Sequence, residues 1–357
     1  MSTSATTHRP SASCLNAIKD ATLQLHYLAE GAANIIYSVS VVSPESLQDH
    51  SHCCILRLRK DLAFTKPARQ VMADFEERII PFFGEGYRGL LMEQALYKLT
   101  PETVQDANVE LREMDEVNLS SLSAEDMKAL GKKVRHHHRR HVYLPLYEVE
   151  QHGILMQNLQ GAGVDWLVEF KPKWLVQSPS APKDARNCRT CALNASRRKD
   201  GKHKGRGDSG FCPFDLLVRE DRKGVLRRAL ENIWPLEDGI EGFVQTFRDR
   251  VQPALRHLQK LEKEHSSVGL DDFRNPDGKD FGVAMALRDC SVFLALRRSS
   301  PDKGGVDVVD VKFADLDLKT TEGGKVQKWA AMEQELLDGG WYRCSEGSGC
   351  SLSRSND

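Results

Sequence analysis

A chain of 357 residues, 40% of them hydrophobic, can bury one large core or two smaller ones. Its 50 Lys and Arg stand against 51 Asp and Glu, and this formal net charge of -1 excludes a globally basic protein that coats nucleic acid. No apolar run approaches the roughly 18 to 20 residues that span a bilayer. Residues 1–13 are rich in Ser and Thr and lack the apolar stretch of a secretory signal, so membrane insertion is not expected and the chain reads as intracellular, in the nucleus or the cytoplasm. Nine cysteines at scattered positions read as reduced thiols rather than a disulfide framework.

In chain order, residues 1–18 read as a disordered tail. Leu23–Tyr27 and Asn34–Val42 then predict two strands around the turn Glu30-Gly31-Ala32-Ala33, and Cys53–Arg59 predicts a third strand whose basic side chains share a face. Phe75–Phe83 and Leu90–Leu99 predict helices, the second stopped by Thr100-Pro101. Glu110–Gly131 is polar and helical in part. Gly153–Asn158 and Trp166–Lys171 predict a strand pair about Gly161-Ala162-Gly163, closed by Pro172, which has no donor to extend a ladder. From there to Pro213 the pattern is a long loop with one short helix at most.

Ile240, Phe243, Val244, Phe247, Val251, Leu255, Leu258 and Leu261 recur at helical spacing and form a core stripe. Val292–Leu296 and Val306–Phe313 predict strands, Val326–Leu337 a helix, and residues 345–357 a disordered tail. Strands first, with helices and further strands after them, give an α+β class in two lobes: residues 19–170 for nucleotide, and 171–344 for substrate and metal.

Charge is concentrated locally. Between Lys183 and Arg206 nine Lys and Arg face two Asp, which makes either a solvated loop or a polyanion site. The run His136-His137-His138 offers metal-ligand chemistry, but residues i, i+1 and i+2 do not share a helix face. Cys188 and Cys191 have zinc-ligand spacing and could join His203 and Cys212. Asp289 precedes one apolar strand, while Asp315 and Asp317 follow another and project to one side, as magnesium carboxylates do. Phosphoryl transfer needs such acids, cations for phosphates and a backbone turn near the triphosphate. Arg57, Arg59 and Lys60 are candidate cations. The Gly31 turn is either the phosphate-facing turn or a plain hairpin.

Glu169-Phe170-Lys171-Pro172-Lys173-Trp174 resembles the acidic-x-Lys-Pro-Lys signature of the inositol-pentakisphosphate 2-kinase family. Glu30–Asn34, Ile55-Leu56-Arg57, Cys188-Arg189-Thr190-Cys191, Phe211–Asp215, Asp289-Cys290-Ser291 and Asp315–Lys319 follow the family's order, and the likeness is nearest to fungal members. The resemblance implies a two-lobed inositol-phosphate kinase fold, distantly protein-kinase-like. It implies ATP and Mg2+ as cofactors, and inositol pentakisphosphate, free at its 2-hydroxyl, as the acceptor that becomes the hexakisphosphate. It further implies a monomer without nucleic-acid partners, and a segment Lys183–Arg206 that orders on substrate.

Carried over residue by residue, Gly31, Asn34 and Arg57 meet the nucleotide phosphates, and Met156 and Asn158 lie at the adenine hinge. Lys171, Lys173, Arg189, Arg197, Lys319 and Lys325 bind inositol phosphates, with Trp329 near them. Asp289 is the base, and Asp315 holds magnesium with help from Asp317. Leu193 stands where some members have histidine, and the plant-type zinc site has no counterpart. A non-catalytic inositol-polyphosphate sensor is the alternative reading.

Overall fold

The first sheet follows from alternation. In the computed structural model, which describes residues 12–117, 135–161, 163–199, 210–219, 224–234, 239–275, 280–299, 305–344 and 349–354, helix α1 (Ala12–Ile18) leads into strands β1 (Thr22–Glu30), β2 (Asn34–Ser43) and β3 (Cys54–Arg59). Ile35, Tyr37, Val39, Leu56 and Leu58 all point to one buried side, as period-two patterning demands. Helices α2 (Ala68–Asp74) and α3 (Ile80–Tyr87), strand β4 (Gln94–Lys98), helix α4 (Pro101–Glu116) and strand β5 (His152–Gln157) come next. The five strands pair antiparallel in the order β1-β2-β3-β5-β4. Cys14, Leu15 and Ile18 of α1 and Val104, Ala107 and Leu111 of α4 cover the apolar face. Gly153 permits that packing, because a Cβ there would stand 2.5 Å from Leu58 Cδ2 and 2.9 Å from Leu56 Cδ1.

Two expectations are corrected here. Leu90–Leu99 is not helical: Tyr97 and Leu99 alternate into the core from β4 and beyond its end. Thr100-Pro101 starts a helix rather than stopping one, with the Thr100 side chain accepting from the Thr103 N–H at 3.2 Å and Pro101 in the first turn. Residues 118–131 of the expected partial helix lie outside the described residues. Cys14 and Cys53 also depart from the reduced-thiol reading, since α1 and the turn before β3 hold their Cα atoms 6.4 Å apart and the two form a disulfide.

By internal contacts the chain divides into two units, Met1–Glu76 with Met92–Gly163 and Glu77–Leu91 with Val164–Asp357. The second unit is built on strands β6 (Trp166–Phe170), β7 (Ser291–Arg298) and β8 (Val306–Ala314), antiparallel in that order. The expected pairing of 153–158 with 166–171 therefore does not form. Gly161 and Gly163 lie where the chain passes from one unit to the next instead of closing a hairpin. Around this sheet stand α5 (Arg189–Lys199), α6 (Val225–Glu231), α7 (Ile240–Thr246), α8 (Gln252–His265), α9 (Leu270–Arg274), α10 (Phe281–Asp289), α11 (Lys325–Asp338) and α12 (Ser351–Arg354). Helices α7 and α8 carry the expected apolar stripe. They are joined by a π-turn over Phe247–Val251 just before Pro253, whose missing N–H cannot bond the carbonyl four residues back.

The tails are shorter than expected. Cys14, Leu15 and Ile18 are core residues, and Cys350 is fully buried. Among the described residues no helix is long and apolar enough to cross a membrane. The fold is α+β.

Candidate functional site

Three chain segments leave the second sheet at the same end. Because Phe170 pairs with Val292 and Ser291 with Ala314, the residues after β6, before β7 and after β8 emerge side by side. This delivers Lys171, Asp289 and Asp315, which lie far apart in sequence, to one place. Lys171 Nζ donates to Asp315 Oδ2 and to the Asp289 carbonyl, each at 2.7 Å, and stands 3.6 Å from Asp289 Oδ2. Lys173 Nζ donates to Asp289 Oδ1 at 3.1 Å, and Lys319 Nζ lies 3.9 Å from Asp289 and 3.5 Å from Asp315.

After β8 the chain keeps alternating. Leu316 and Leu318 are buried, and Asp315, Asp317 and Lys319 take the other side, half-buried. The backbone is strained at two members, with Lys173 at φ 60° and Asp315 at φ 57°, a left-handed region that side-chain-bearing residues seldom adopt. Three lysines against two carboxylates leave the cluster cationic, while the two carboxylate side chains remain 45% and 43% exposed. Burial alone would raise the Asp289 carboxyl, but Lys173, Lys171 and Lys319 outweigh it and hold the group below the usual carboxylate range. Lys171, opposed by burial, is pushed up by Asp315 and then Asp289.

Beneath this cluster lies a buried scaffold that sequence reasoning missed. Trp174 lies between two guanidinium groups, Arg288 at 3.7 Å and Arg189 at 4.3 Å from its ring centre. Arg189 Nε donates to Glu333 Oε2 at 3.1 Å, and Glu333 Oε1 accepts from Ser178 and Tyr342 hydroxyls at 2.6 Å each. Arg288 donates to the Ser266 and Val268 carbonyls. The fully buried Glu262 accepts from Leu175 N–H at 2.9 Å, and its carboxyl is pushed up to about 8 by burial. Arg189 was expected to face inositol phosphate. It is 8% exposed, donates to Glu333 and stacks on Trp174, the residue next to Lys173. The signals were present as Trp174 ending the Lys-Pro-Lys motif and Arg288 flanking Asp289. Nothing in local pattern marks Glu333 or Glu262.

The other expected substrate contacts lie on two helices of the same unit. Lys325 is exposed in the first turn of α11, Trp329 packs on Phe273, and Arg197 is half-buried in the last turn of α5. Residues 200–206 of the basic segment, with His203, lie outside the described residues; part of the rest is helix α5, where the long-loop reading allowed one short helix.

In the first unit, register puts four candidates on one face. Asn34 pairs with Arg59, Ile55 with Met156 and Arg57 with Ile154, so Asn34, Arg57, Arg59 and Met156 all lie opposite the core side. Arg57 Nη2 donates to Gln94 Oε1 at 3.5 Å. The other two cations are spent on structure. Arg59 pairs with Glu150 at 2.8 Å, and Lys60, 1% exposed, pairs with Glu30 at 2.6 Å and donates to the Gly31 carbonyl at 2.9 Å. Lys60 thus props the Gly31 turn, which Gly31 N–H to Asn34 O closes at 2.8 Å. Asn158 donates to the His52 carbonyl and accepts from Gln160 N–H, each at 3.0 Å, so its side chain locks a loop. His136, His137 and His138 are exposed in and beside a 3-10 turn rather than an α-helix, and there their rings do meet, with centres 3.8 to 4.5 Å apart.

A lysine-rich, carboxylate-bearing sheet end in one unit and an arginine-bearing sheet face in the other suit a protein that handles phosphate groups. The profile of the family described as inositol-pentakisphosphate 2-kinase matches residues 27–262 and 236–335. A relative from Yarrowia lipolytica (strain CLIB 122 / E 150), itself called inositol-pentakisphosphate 2-kinase, is 33% identical over 191 residues, which cover 52% of this chain and 57% of the relative. The matched stretch thus spans little more than half of that relative's length. The chain belongs to the inositol-pentakisphosphate 2-kinase family.

Proposed function

We propose that the chain is an ATP-dependent kinase that phosphorylates the 2-hydroxyl of inositol 1,3,4,5,6-pentakisphosphate to give the hexakisphosphate. The observation that carries this reading is the convergence of Lys171, Lys173 and Lys319 on Asp289 and Asp315 at one sheet end. Family membership and the printed name of the Yarrowia relative support it. On this reading the two units are the lobes of a distantly protein-kinase-like fold. The face bearing Asn34, Arg57 and Met156 takes the nucleotide, and the second unit takes the inositol phosphate.

In the transfer, the acceptor oxygen forms a bond to the γ-phosphorus while the bond from that phosphorus to the β,γ-bridging oxygen breaks, and the hydroxyl proton passes to Asp289. Phosphoryl transfer asks little covalent work of the protein. An ionised Asp289 held low by lysines is therefore suited to orient the hydroxyl and collect its proton late. Asp315, with Asp317 on the same side of the chain, offers the hard oxygen donors that Mg2+ takes, and the ion when bound neutralises triphosphate charge. Lys171, Lys173 and Lys319 bind the acceptor's phosphates, with Lys325 and Arg197 as outer contacts. Arg189 is left out because its guanidinium is buried on Glu333.

A sensor would gain nothing from two acids placed among the cations that meet its polyanionic ligand, so catalysis is the better reading. The test is a panel of inositol phosphates with Mg-ATP. Hexakisphosphate should form from the isomer with a free 2-hydroxyl, and Asp289→Asn should abolish turnover with ligand affinity largely kept. Normal turnover in Asp289→Asn removes the assigned base. Binding without product from any isomer supports the sensor.

A further inference from the structure

We propose that His136, His137 and His138 form a surface site for one borderline divalent transition-metal ion, of the class of nickel, copper and zinc. On an α-helix three consecutive side chains point about 100° apart and do not meet. The observed backbone removes that objection. His136 is extended, at φ -64° and ψ 139°, and His137–Arg139 then make a 3-10 turn, closed by the Arg139 N–H donating to the His136 carbonyl at 2.8 Å. One ring nitrogen from each histidine lies within 4.8 Å of the other two. His137 Nε2 and His138 Nδ1 are 3.0 Å apart, and the His136 ring centre stands 4.5 Å from that of His137 and 3.8 Å from that of His138.

Those separations select a kind of ion. Two imidazole nitrogens, each about 2.1 Å from a metal, are about 3.0 Å apart when they meet it at a right angle and about 3.4 Å apart in a tetrahedron. The 3.0 Å pair therefore fits neighbouring positions of a six-coordinate ion, with water completing the shell. An N–H···N hydrogen bond has the same length, but it joins two rings and leaves the approach of the third without a cause. Imidazole donors suit zinc, copper and nickel, while magnesium and calcium take oxygen. The ion is thus different in kind from the one that phosphoryl transfer uses.

The turn rests on a fixed base. Arg135 is fully buried and donates to both carboxylate oxygens of Glu30 at 3.1 Å and to both of Asp115 at 3.0 Å. It also donates to the Arg139 and Val142 carbonyls at 2.7 and 2.8 Å, so it grips the chain on both sides of the histidines. Asp115 accepts from the His141 N–H at 2.8 Å. The flanking guanidinium groups are turned to backbone oxygens, Arg139 to the Glu30 carbonyl and Arg140 to the Arg135 and Val117 carbonyls. Holding the backbone in advance lowers the ordering cost of bringing three donors to one ion. Because Glu30 adjoins Gly31, a bound ion would brace the segment that supports that turn.

The assignment does not depend on the kinase reading. Untagged full-length protein titrated with nickel chloride should bind one ion per chain at the triad, with the His136→Ala/His137→Ala/His138→Ala triple variant as the blank for nickel held by the free thiols. Even an outer-shell partner is worth about 10–100-fold in metal affinity, so each single substitution to Ala within the triad should weaken binding by about tenfold or more. His26→Ala, which removes an exposed histidine outside the group, should leave it unchanged. In urea, where the Arg135 grip is gone, the wild type should bind about tenfold more weakly than when folded. Uptake by the triple variant equal to wild type would overturn the site, since the ligands are then elsewhere. Equal affinity in folded and urea-unfolded wild type would overturn it as well, because the triad is then a plain run of three histidines.

Discussion

Glu333 is 1% exposed and meets Arg189, Ser178 and Tyr342, so replacing it tests whether the floor under Lys173 is an ion pair. Glu333→Gln keeps an acceptor for the two hydroxyls but strands the Arg189 guanidinium in a site 8% exposed. Breaking one partner of a buried pair costs about 3–5 kcal/mol. Gln retains size and part of the hydrogen bonding, so about 3 kcal/mol is expected, and Arg189→Met should cost a similar amount by stranding the carboxylate. Removing both partners strands neither charge, so the double variant should be more stable than the sum of the single losses by about 2 kcal/mol. Urea denaturation followed by tryptophan fluorescence measures all four proteins. Additive losses, within about 0.5 kcal/mol, would refute the buried pair. So would an Arg189→Met protein as stable as wild type but weak in inositol-phosphate binding, because that would make Arg189 a ligand contact after all.

Two pH predictions follow from the same unit. The Asp289 carboxyl is held low, so its contribution to stability is present above the unfolded value of about 3.9 and is lost as pH falls through the lower folded value. Lys173→Met removes the foremost cation opposing burial and brings the folded value closer to the unfolded one, so in urea midpoints taken across acid pH the loss should be smaller and should end at a higher pH; an unchanged profile would dismiss the pairing. Glu262 moves the other way: its folded value of about 8 lies above the ordinary 4.5, so the folded state keeps a proton that the unfolded state releases, and stability falls as pH rises between those values. Glu262→Gln should flatten that decline, measured by the same midpoints, and a slope equal to wild type would count against it.

What could be read from sequence was whatever repeats or adjoins. The period of two in 34–41 and the helical stripe over 240–261 are local patterns of burial, so they give elements directly. The misread stretch 90–99 has the same apolar content as a helix turn, and its strand conformation comes from pairing with β5, which lies more than 50 residues later. The Lys-Pro-Lys motif and the two acids were legible as residues, while their meeting depends on register between β6, β7 and β8. Glu333 and Glu262 remained invisible because an acid on a helix looks solvated until the fold buries it. Cys350 was hidden by its setting among Ser and Gly, a composition that reads as tail.

Geometry separates the lysines that build this protein from those that can hold a ligand. Lys60 sits 2.6 Å from Glu30 with both side chains 2% exposed, and Arg135, itself fully buried, bridges Glu30 to Asp115 at 3.1 and 3.0 Å. Every charge there is matched and dry. Drawing Lys60 toward a phosphate would leave Glu30 with one fewer partner, at a cost on the scale of a broken buried pair, about 3–5 kcal/mol. Lys171, Lys173 and Lys319 are 24% to 30% exposed, their carboxylate partners are nearly half exposed, and three of their five contacts run from 3.5 to 3.9 Å. Pairs of that kind contribute about 0–1 kcal/mol each, so a polyanion can compete for these cations at little loss to the fold. The same side chain is therefore fixed in one unit and displaceable in the other, and burial of its partner, rather than the presence of a lysine beside an acid, decides which.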